Sequence, residues 1–268
     1  MASTKQLQWL NTACLISLAV LVLLPLLVPG LKSLESSAIT GHASTLGWTN
    51  YLQIGQQKNF WRAFLNSVGI ATVVTGLQVV TGALGGYALA RFSFWGRGAL
   101  LALLLAALAV PFPLLVIPTF VVLKTGHLLN TYAALILPAA TSSFGIFLFR
   151  QHFLSLPVDL EAAASLDGAN RWQILWYLVF PLARPAAIAV GLFAFIGEWN
   201  DLFKPLIFTT RPELMTLQLA LAGLQEQYTN DWGLLMAGCV IATLPLVILF
   251  LLIQRQFMAG ISYSGMKN

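Results

Sequence analysis

Three ionisable residues interrupt an otherwise apolar run: Glu198, Asp201 and Lys204, at spacing i, i+3, i+6. On one continuous helix that spacing puts them on a shared face, with Trp199 and Asn200 beside it. Two readings follow. Carboxylates, an amide and an indole suit a hydroxylated solute, so the group can form the polar lining or outer gate of a path through lipid. Alternatively, Asp201 and Lys204 pair near a membrane interface while Trp199 sits in its aromatic belt. Little else in the chain offers chemistry. There is no Gly-x-x-x-x-Gly-Lys-Ser/Thr segment to cradle nucleotide phosphates, no Ser/His/Asp set, and no carboxylate pair with an acid–base partner. His42, His127 and His152 lack metal-ligand spacing and read as loop or interface residues. Cys14 and Cys239 lie in apolar runs, which suits neither a disulfide framework nor a thiolate metal site. No basic–aromatic stripe points to nucleic acid.

A second informative segment is polar and helical. Pro157 with Asp159 and Glu161 close behind opens a helix, because proline tolerates the first turn and carboxylates suit the N-terminal dipole. Gly168 ends it, since only glycine enters the left-handed conformation without strain. Asn170 with Gln173 three residues on caps a second helix, bounded by Pro181 and Pro185. Leu160, Ala163 and Ala164 are expected on one face of the first helix, with Asp159, Glu161 and Ser165 spread elsewhere. The segment is therefore a helix, a sharp turn and a second helix. It either stands out of a membrane or lies on its surface.

The elements that position these residues are membrane spans. Of the 268 residues 58% are hydrophobic and 9% charged, against roughly 25% charged in a soluble domain. Mean hydropathy is +0.82. Six apolar runs stand at about 10–31, 64–90, 99–123, 132–149, 185–207 and 233–254, each near the ~20 residues a span needs. They are too long and too continuously apolar for barrel strands. The fold class expected is all-α, with six transmembrane helices in a single domain over residues 1–268 and a helix-turn-helix loop, 150–184, between spans four and five. The first span is read as a retained anchor, not a cleaved signal peptide. Gly82 and Gly86 form a small-xxx-small pair for close helix approach. Pro111, Pro113 and Pro118 should kink or break the third span. Segment 32–63 reads as a polar external loop with a short helix near Trp61, and 91–98 as a tight basic turn.

An even span count places both termini on one side. Of the 14 Lys and Arg residues, Lys5, Arg91, Arg97, Arg150, Arg171, Arg184, Arg255 and Lys267 fall on the terminus side. Lys32, Lys58, Arg62, Lys124, Lys204 and Arg211 fall opposite. The excess favours cytoplasmic termini, and the +5 net charge is carried by that face, where it suits an anionic leaflet or an acidic partner. From Arg184, a rise of about 1.5 Å per residue puts Glu198 about 21 Å across, in the outer half of the membrane.

The loop 150–184 resembles the EAA loop of membrane subunits of ATP-binding-cassette importers. Asp167, Gly168, Leu178, Phe180 and Pro181 fall in the expected register, whereas the position that normally carries the Glu is Ala162, with Glu161 one residue earlier. Other segments are similar to the shorter six-span subunit of maltose-type carbohydrate importers: Asn66-Ser67, Tyr87-Ala88 with Ala90-Arg91-Phe92, Pro118 with Gly126, Asn130-Thr131-Tyr132 and Leu137-Pro138, Trp199-Asn200-Asp201 with Pro205-Leu206, and Arg255-Gln256-Phe257 through Gly260 and Gly265. They cover residues 60–268.

The resemblance implies a permease half for a sugar or sugar-like solute in the bacterial cytoplasmic (inner) membrane, with ATP hydrolysed elsewhere. Its partners would be a second permease subunit in a heterodimer, two ATPase subunits that bind ATP and Mg, and an extracytoplasmic solute-binding protein. The chain itself would carry no cofactor or metal and catalyse nothing. Asp159, Glu161, Ala162, Ala163, Ala164, Asp167, Gly168 and Arg171 would couple to the ATPase. Asn66, Glu198, Trp199, Asn200 and Asp201 would belong to the translocation path. On residues alone, an ion-coupled transporter or channel and an intramembrane enzyme stay open. Sparse intramembrane charge weighs against the first, and the missing catalytic constellation against the second.

Overall fold

The computed structural model describes residues 2–36, 45–227 and 232–264, which are nearly all helical. His42, Gly265 and Lys267 lie outside them. In chain order the helices are α1 (Ala2–Leu34), α2 (Thr49–Gln56), α3 (Lys58–Arg91), α4 (Arg97–Leu108), α5 (Phe112–Thr125), α6 (Tyr132–Ile136), α7 (Ser143–Ser155), α8 (Val158–Leu166), α9 (Arg171–Gln173), α10 (Phe180–Leu182), α11 (Arg184–Trp199), α12 (Phe203–Phe208), α13 (Leu217–Gln227) and α14 (Trp232–Ser264). A π-helical stretch, Ile174–Val179, joins α9 to α10. Two two-residue strands, Glu35–Ser36 and Thr45–Leu46, pair antiparallel.

Among the described residues, three helical runs are long and apolar enough to cross a membrane: Lys58–Arg91, Tyr132–Ser155 and Trp232–Gln254. Three bent pairs qualify jointly: Asn11–Pro25 with Leu27–Leu34 at 44°, α4 with α5 at 108°, and Arg171–Leu182 with α11 at 80°. The expected break in the third span falls at Pro111, whose preceding residue is steered away from helical geometry. Pro113 is tolerated in the first turn of α5, and α5 continues through Pro118.

Within the fourth run, Pro138 lies in a 3-10 turn over Leu137–Ala139 and α7 restarts at Ser143, capped by Ser142 Oγ accepting from Gly145 N at 3.4 Å. Such an interruption frees carbonyls that must find donors in lipid. Gln78 Nε2 donates to Ala139 O at 2.9 Å and Thr81 Oγ1 to Ala140 O at 3.1 Å, so two polar residues of α3 compensate the break.

The fifth span departs from expectation. No single helix covers 185–207: α11 ends at Trp199 and α12 starts at Phe203. With 16 residues, α11 is about 24 Å long, short of the ~30 Å hydrocarbon core.

The chain divides into two compact units. The first comprises residues 1–61 and 221–245. Its polar centre is Asn50, buried, whose amide donates to Ser33 O at 2.8 Å and Glu35 O at 2.9 Å. Gly233 lies so close that a Cβ would stand 2.5 Å from Glu35 O. The expected short helix of the 32–63 segment is α2, ending at Gln56, whereas Trp61 belongs to α3.

The second unit comprises residues 62–220 and 246–268. One apolar core gathers Ala83, Tyr87, Phe149, Phe153, Ile174, Leu175, Val179 and Val190; another gathers Ile70, Val74, Leu123, Leu135 and Phe208. Gly82 and Gly86 let α3 lie directly on α7. A Cβ at Gly86 would stand 2.6 Å from Phe149 Cβ and 2.8 Å from Arg150 N, and one at Gly82 3.2 Å from Gly145 C. Lipid tails give no hydrophobic drive to such packing, so close backbone contact is what holds these helices together.

Candidate functional site

Breaking the helix after Trp199 brings the three ionisable residues together by folding back, not by sharing a helical face. Lys204 Nζ lies 2.6 Å from both Glu198 Oε1 and Oε2, and 3.0 Å from Asp201 Oδ2. Asp201 also accepts at Oδ1 from the backbone N of Phe203 (2.9 Å) and of Lys204 (3.3 Å). It thereby satisfies amides at the start of α12 in the manner of a helix cap, and fixes the turn that returns Lys204 to Glu198. Lys204 is 6% exposed. Two carboxylates against one ammonium leave the cluster at formal charge −1.

The cluster forms one wall of a cavity of about 530 Å³ inside the second unit. Gln78, Thr141, Ser142 and Ser143 supply further polar groups; Ala107, Leu108, Val110 and Phe112, at the α4–α5 break, supply the apolar side. The volume falls in the range of small-molecule sites, about 300–1,000 Å³.

The expected path residues separate. Glu198 and Asp201 line this cavity. Trp199 does not: its side chain is 1% exposed, edge-on to Phe64 at 5.6 Å and stacked on Phe195 at 5.7 Å. That packing makes Trp199 a core residue beneath the break, outside the lining of this cavity. Asn66 is committed internally as well. Its Nδ2 donates to Glu213 O and Met215 O, each at 2.9 Å, and its Oδ1 accepts from Tyr132 Oη at 2.9 Å. It holds the 213–215 segment against α3 instead of facing the cavity. Asn200 is exposed at the break, its Nδ2 donating to Ile196 O at 3.0 Å.

The helical hairpin forms with the expected punctuation. Pro157 precedes α8, with Asp159 and Glu161 in the first turn. Gly168 has φ +87, and the turn bonds Ala169 N to Ala164 O at 3.0 Å and Gly168 N to Ser165 O at 3.1 Å. This is the paired closure of a helix ending in a left-handed glycine. Asn170 and Gln173 form a reciprocal capping box, Gln173 N to Asn170 Oδ1 at 3.0 Å and Asn170 N to Gln173 Oε1 at 2.8 Å. The second helix passes through Pro181, whose missing N–H removes one ladder bond, and widens into a π-helix just before it.

The face assignment on α8 needs correction. Leu160 and Ala163 are exposed, and the inward side carries Glu161, 4% exposed, and Ala164, packed on the core. An acid faces inward because partners wait for it. Arg91 Nε meets Glu161 Oε1 at 2.5 Å, Tyr87 Oη donates to Oε2 at 2.9 Å, and Arg91 Nη2 donates to Leu156 O at 3.0 Å. Arg171 lies beside the Tyr87 hydroxyl. Glu161 therefore cannot present its carboxylate outward. The hairpin instead offers Ala162, Ala163, Asp159, Asp167 and Gly168 on its surface, with large apolar groups among them: Leu166 is 89% exposed, Trp172 64% and Tyr177 82%.

These features converge with sequence comparison. Residues 78–263 match the model of the "binding-protein-dependent transport system inner membrane component" family. The chain belongs to this family. Relatives include the arabinooligosaccharides transport system permease protein AraQ of Halalkalibacterium halodurans, 34% identical over 98% of this chain and 97% of the relative. The lactose transport system permease protein LacG of Rhizobium radiobacter is 34% identical over 87% and 86%, and the trehalose transport system permease protein SugB of Mycobacterium tuberculosis 33% over 84% of each. In fold, the chain matches a crystal structure of a bacterial ABC transporter involved in the import of the acidic polysaccharide alginate, at TM-score 0.80 with 24% identity over 95% of this chain and 98% of that one. A second alginate transporter structure, in complex with an alginate-pentasaccharide-bound periplasmic protein, matches at 0.66 and 14% over 94% and 96%. The chain is thus a non-catalytic, multi-pass inner-membrane transport subunit.

Sequence reasoning missed Gln78, Thr141, Ser142 and Ser143 as cavity residues, and the path residues implied by the resemblance leave out Lys204. A signal existed for Gln78: an amide in the middle of an apolar run needs a partner in lipid.

Proposed function

We propose that this chain is the shorter, six-span permease half of an importer for a sugar or sugar-like solute, with both termini cytoplasmic. In this reading the spans are α1, α3, α4 with α5, Tyr132–Ser155, α11 and α14, and the 157–181 hairpin lies on the cytoplasmic side between the fourth and the fifth. Separate ATPase subunits dock on the hairpin, a second permease completes the path, and an extracytoplasmic binding protein delivers the solute. One observation carries the reading: a rigidly capped hairpin whose exposed surface bears Leu166, Trp172 and Tyr177, large apolar groups that suit a partner surface. The relatives named for arabinooligosaccharide, lactose and trehalose transport support the substrate class.

The chemistry of the cavity agrees with a neutral hydroxylated solute. Glu198 and Asp201 accept from sugar hydroxyls, Ser142, Thr141 and Gln78 offer donors and acceptors, and Phe112 gives an apolar face. The cluster's carboxylates are already paired with Lys204, so they do not form the unpaired relay that an ion-coupled transporter would need. No nucleic-acid partner and no cofactor in this chain is part of the reading.

Affinity purification from mild detergent tests it. Co-purification of two ATPase copies and a second permease is expected. A lone chain that carries ion flux in vesicles would move the protein to the ion-coupled class.

A further inference from the structure

The buried contacts beneath the hairpin do more than stabilise a fold. We propose that Glu161, Arg91 and Tyr87 form a joint that carries hairpin displacement into α3, and through α3 to the cavity wall. Glu161 is thus a positioning residue and not a contact for the ATPase. The inference rests on the docking role proposed above for the hairpin.

Both oxygens of the Glu161 carboxylate are held by α3, one by Arg91 Nε and the other by Tyr87 Oη at 2.9 Å. Arg91 also grips Leu156 O at 3.0 Å, at the end of α7. Three elements, α3, α7 and α8, are therefore fastened at one point. The Arg91 and Glu161 side chains are 8% and 5% exposed, so water competes little for the charges and neither can separate without becoming an unpaired buried ion. The Tyr87 ring is wedged edge-on against Phe92 at 5.7 Å and Phe153 at 5.9 Å, which keeps its hydroxyl in place.

From this point α3 runs back without a proline to Lys58. Gln78 lies 13 residues before Arg91, about 20 Å along the axis, and lines the cavity while bonding Ala139 O. Apolar contacts alone would let α8 slide over α3, whereas a two-oxygen clamp fixes direction as well as distance. A push on the hairpin therefore reaches Gln78 through one uninterrupted helix.

The test uses the assembled complex in proteoliposomes and reads three quantities: bound ATPase, ATP hydrolysed, and solute taken up per ATP. Glu161→Gln keeps the side chain's size and its hydrogen-bonding oxygen but weakens the charged clamp. The expected result is bound and active ATPase with uptake per ATP reduced about fivefold or more. A nucleotide-dependent distance between spin labels on exposed Val80 of α3 and Leu105 of α4, present in the unaltered complex, should be lost with it. If Glu161→Gln fails to assemble, Arg91→Met with Glu161→Met removes both charges together and leaves no unpaired ion, and the same loss of uptake per ATP is expected. Unchanged uptake per ATP in either assembled variant overturns the joint alone. Absence of ATPase from the unaltered complex overturns it together with the docking role.

Discussion

Gly168 is the most economical place to perturb the hairpin without touching any contact. Its φ is +87, and nothing lies within 4 Å of the position a Cβ would take. A substitution there meets no clash, so the cost is entirely that of a left-handed backbone, roughly 1–2 kcal/mol for an L-residue. Asparagine visits that region more readily than other side chains and β-branched residues least. The cost should therefore rise in the order Gly168→Asn, Gly168→Ala, Gly168→Val. The two closing bonds, Ala169 N to Ala164 O and Gly168 N to Ser165 O, depend on that conformation, so the strain is relieved by opening the turn and swinging α9 away from α8. A shift of one to two kcal/mol is a factor of about 5–30 in the population of the native turn. Retention of ATPase on the tagged permease, and uptake by reconstituted vesicles, should fall in that order while membrane insertion stays normal. Equal docking and uptake across all three variants would refute the reasoning, because the turn geometry would then not matter to coupling.

Other outcomes follow from the same structure. Lys204→Met leaves the half-buried carboxylates of Glu198 and Asp201 without a counter-ion and should destabilise the second unit by about 1–3 kcal/mol, read as lost detergent thermostability; adding Glu198→Gln and Asp201→Asn should recover most of it. Gly86→Leu should force α3 off α7, because even a Cβ would stand 2.8 Å from Arg150 N, and yield should drop sharply while Gly76→Leu, with open space at its Cβ, is tolerated. Trp199→Ala should cost about 3–5 kcal/mol through the cavity left beside Phe64 and Phe195; a variant of unaltered thermostability but altered uptake would restore Trp199 to the path.

How much of this was legible in the sequence depends on whether the signal was local. The hairpin was, because Pro157, Gly168 and the Asn170–Gln173 pair act through their own backbone neighbours, and all appear as read. Gly82 and Gly86 were legible for a similar reason: small residues four apart announce close approach. The inward turn of Glu161 was not, since it depends on Arg91 and Tyr87, seventy and seventy-four residues distant. Nor was the break after Trp199. Apolar residues flank the polar stretch 198–204 on both sides, and Asp201 bonding the amides of Phe203 and Lys204 marks where α12 begins. Spacing of i, i+3, i+6 predicts proximity on a continuous helix, whereas Glu198, Asp201 and Lys204 meet because the chain folds back between α11 and α12. The contacts of Trp199 and Asn66 were not legible either, because a residue type that suits a sugar also suits a buried ring stack or a backbone clamp.

The central claim is that this subunit moves its solute passively while ATP is spent on partner chains. Solute uptake by proteoliposomes holding the whole complex, with ATP inside and the proton and sodium gradients collapsed by ionophores, tests it most directly. Uptake that requires ATP and continues unchanged after the ionophores is the predicted result; uptake that stops when the gradients are collapsed, with ATP still present, would contradict it.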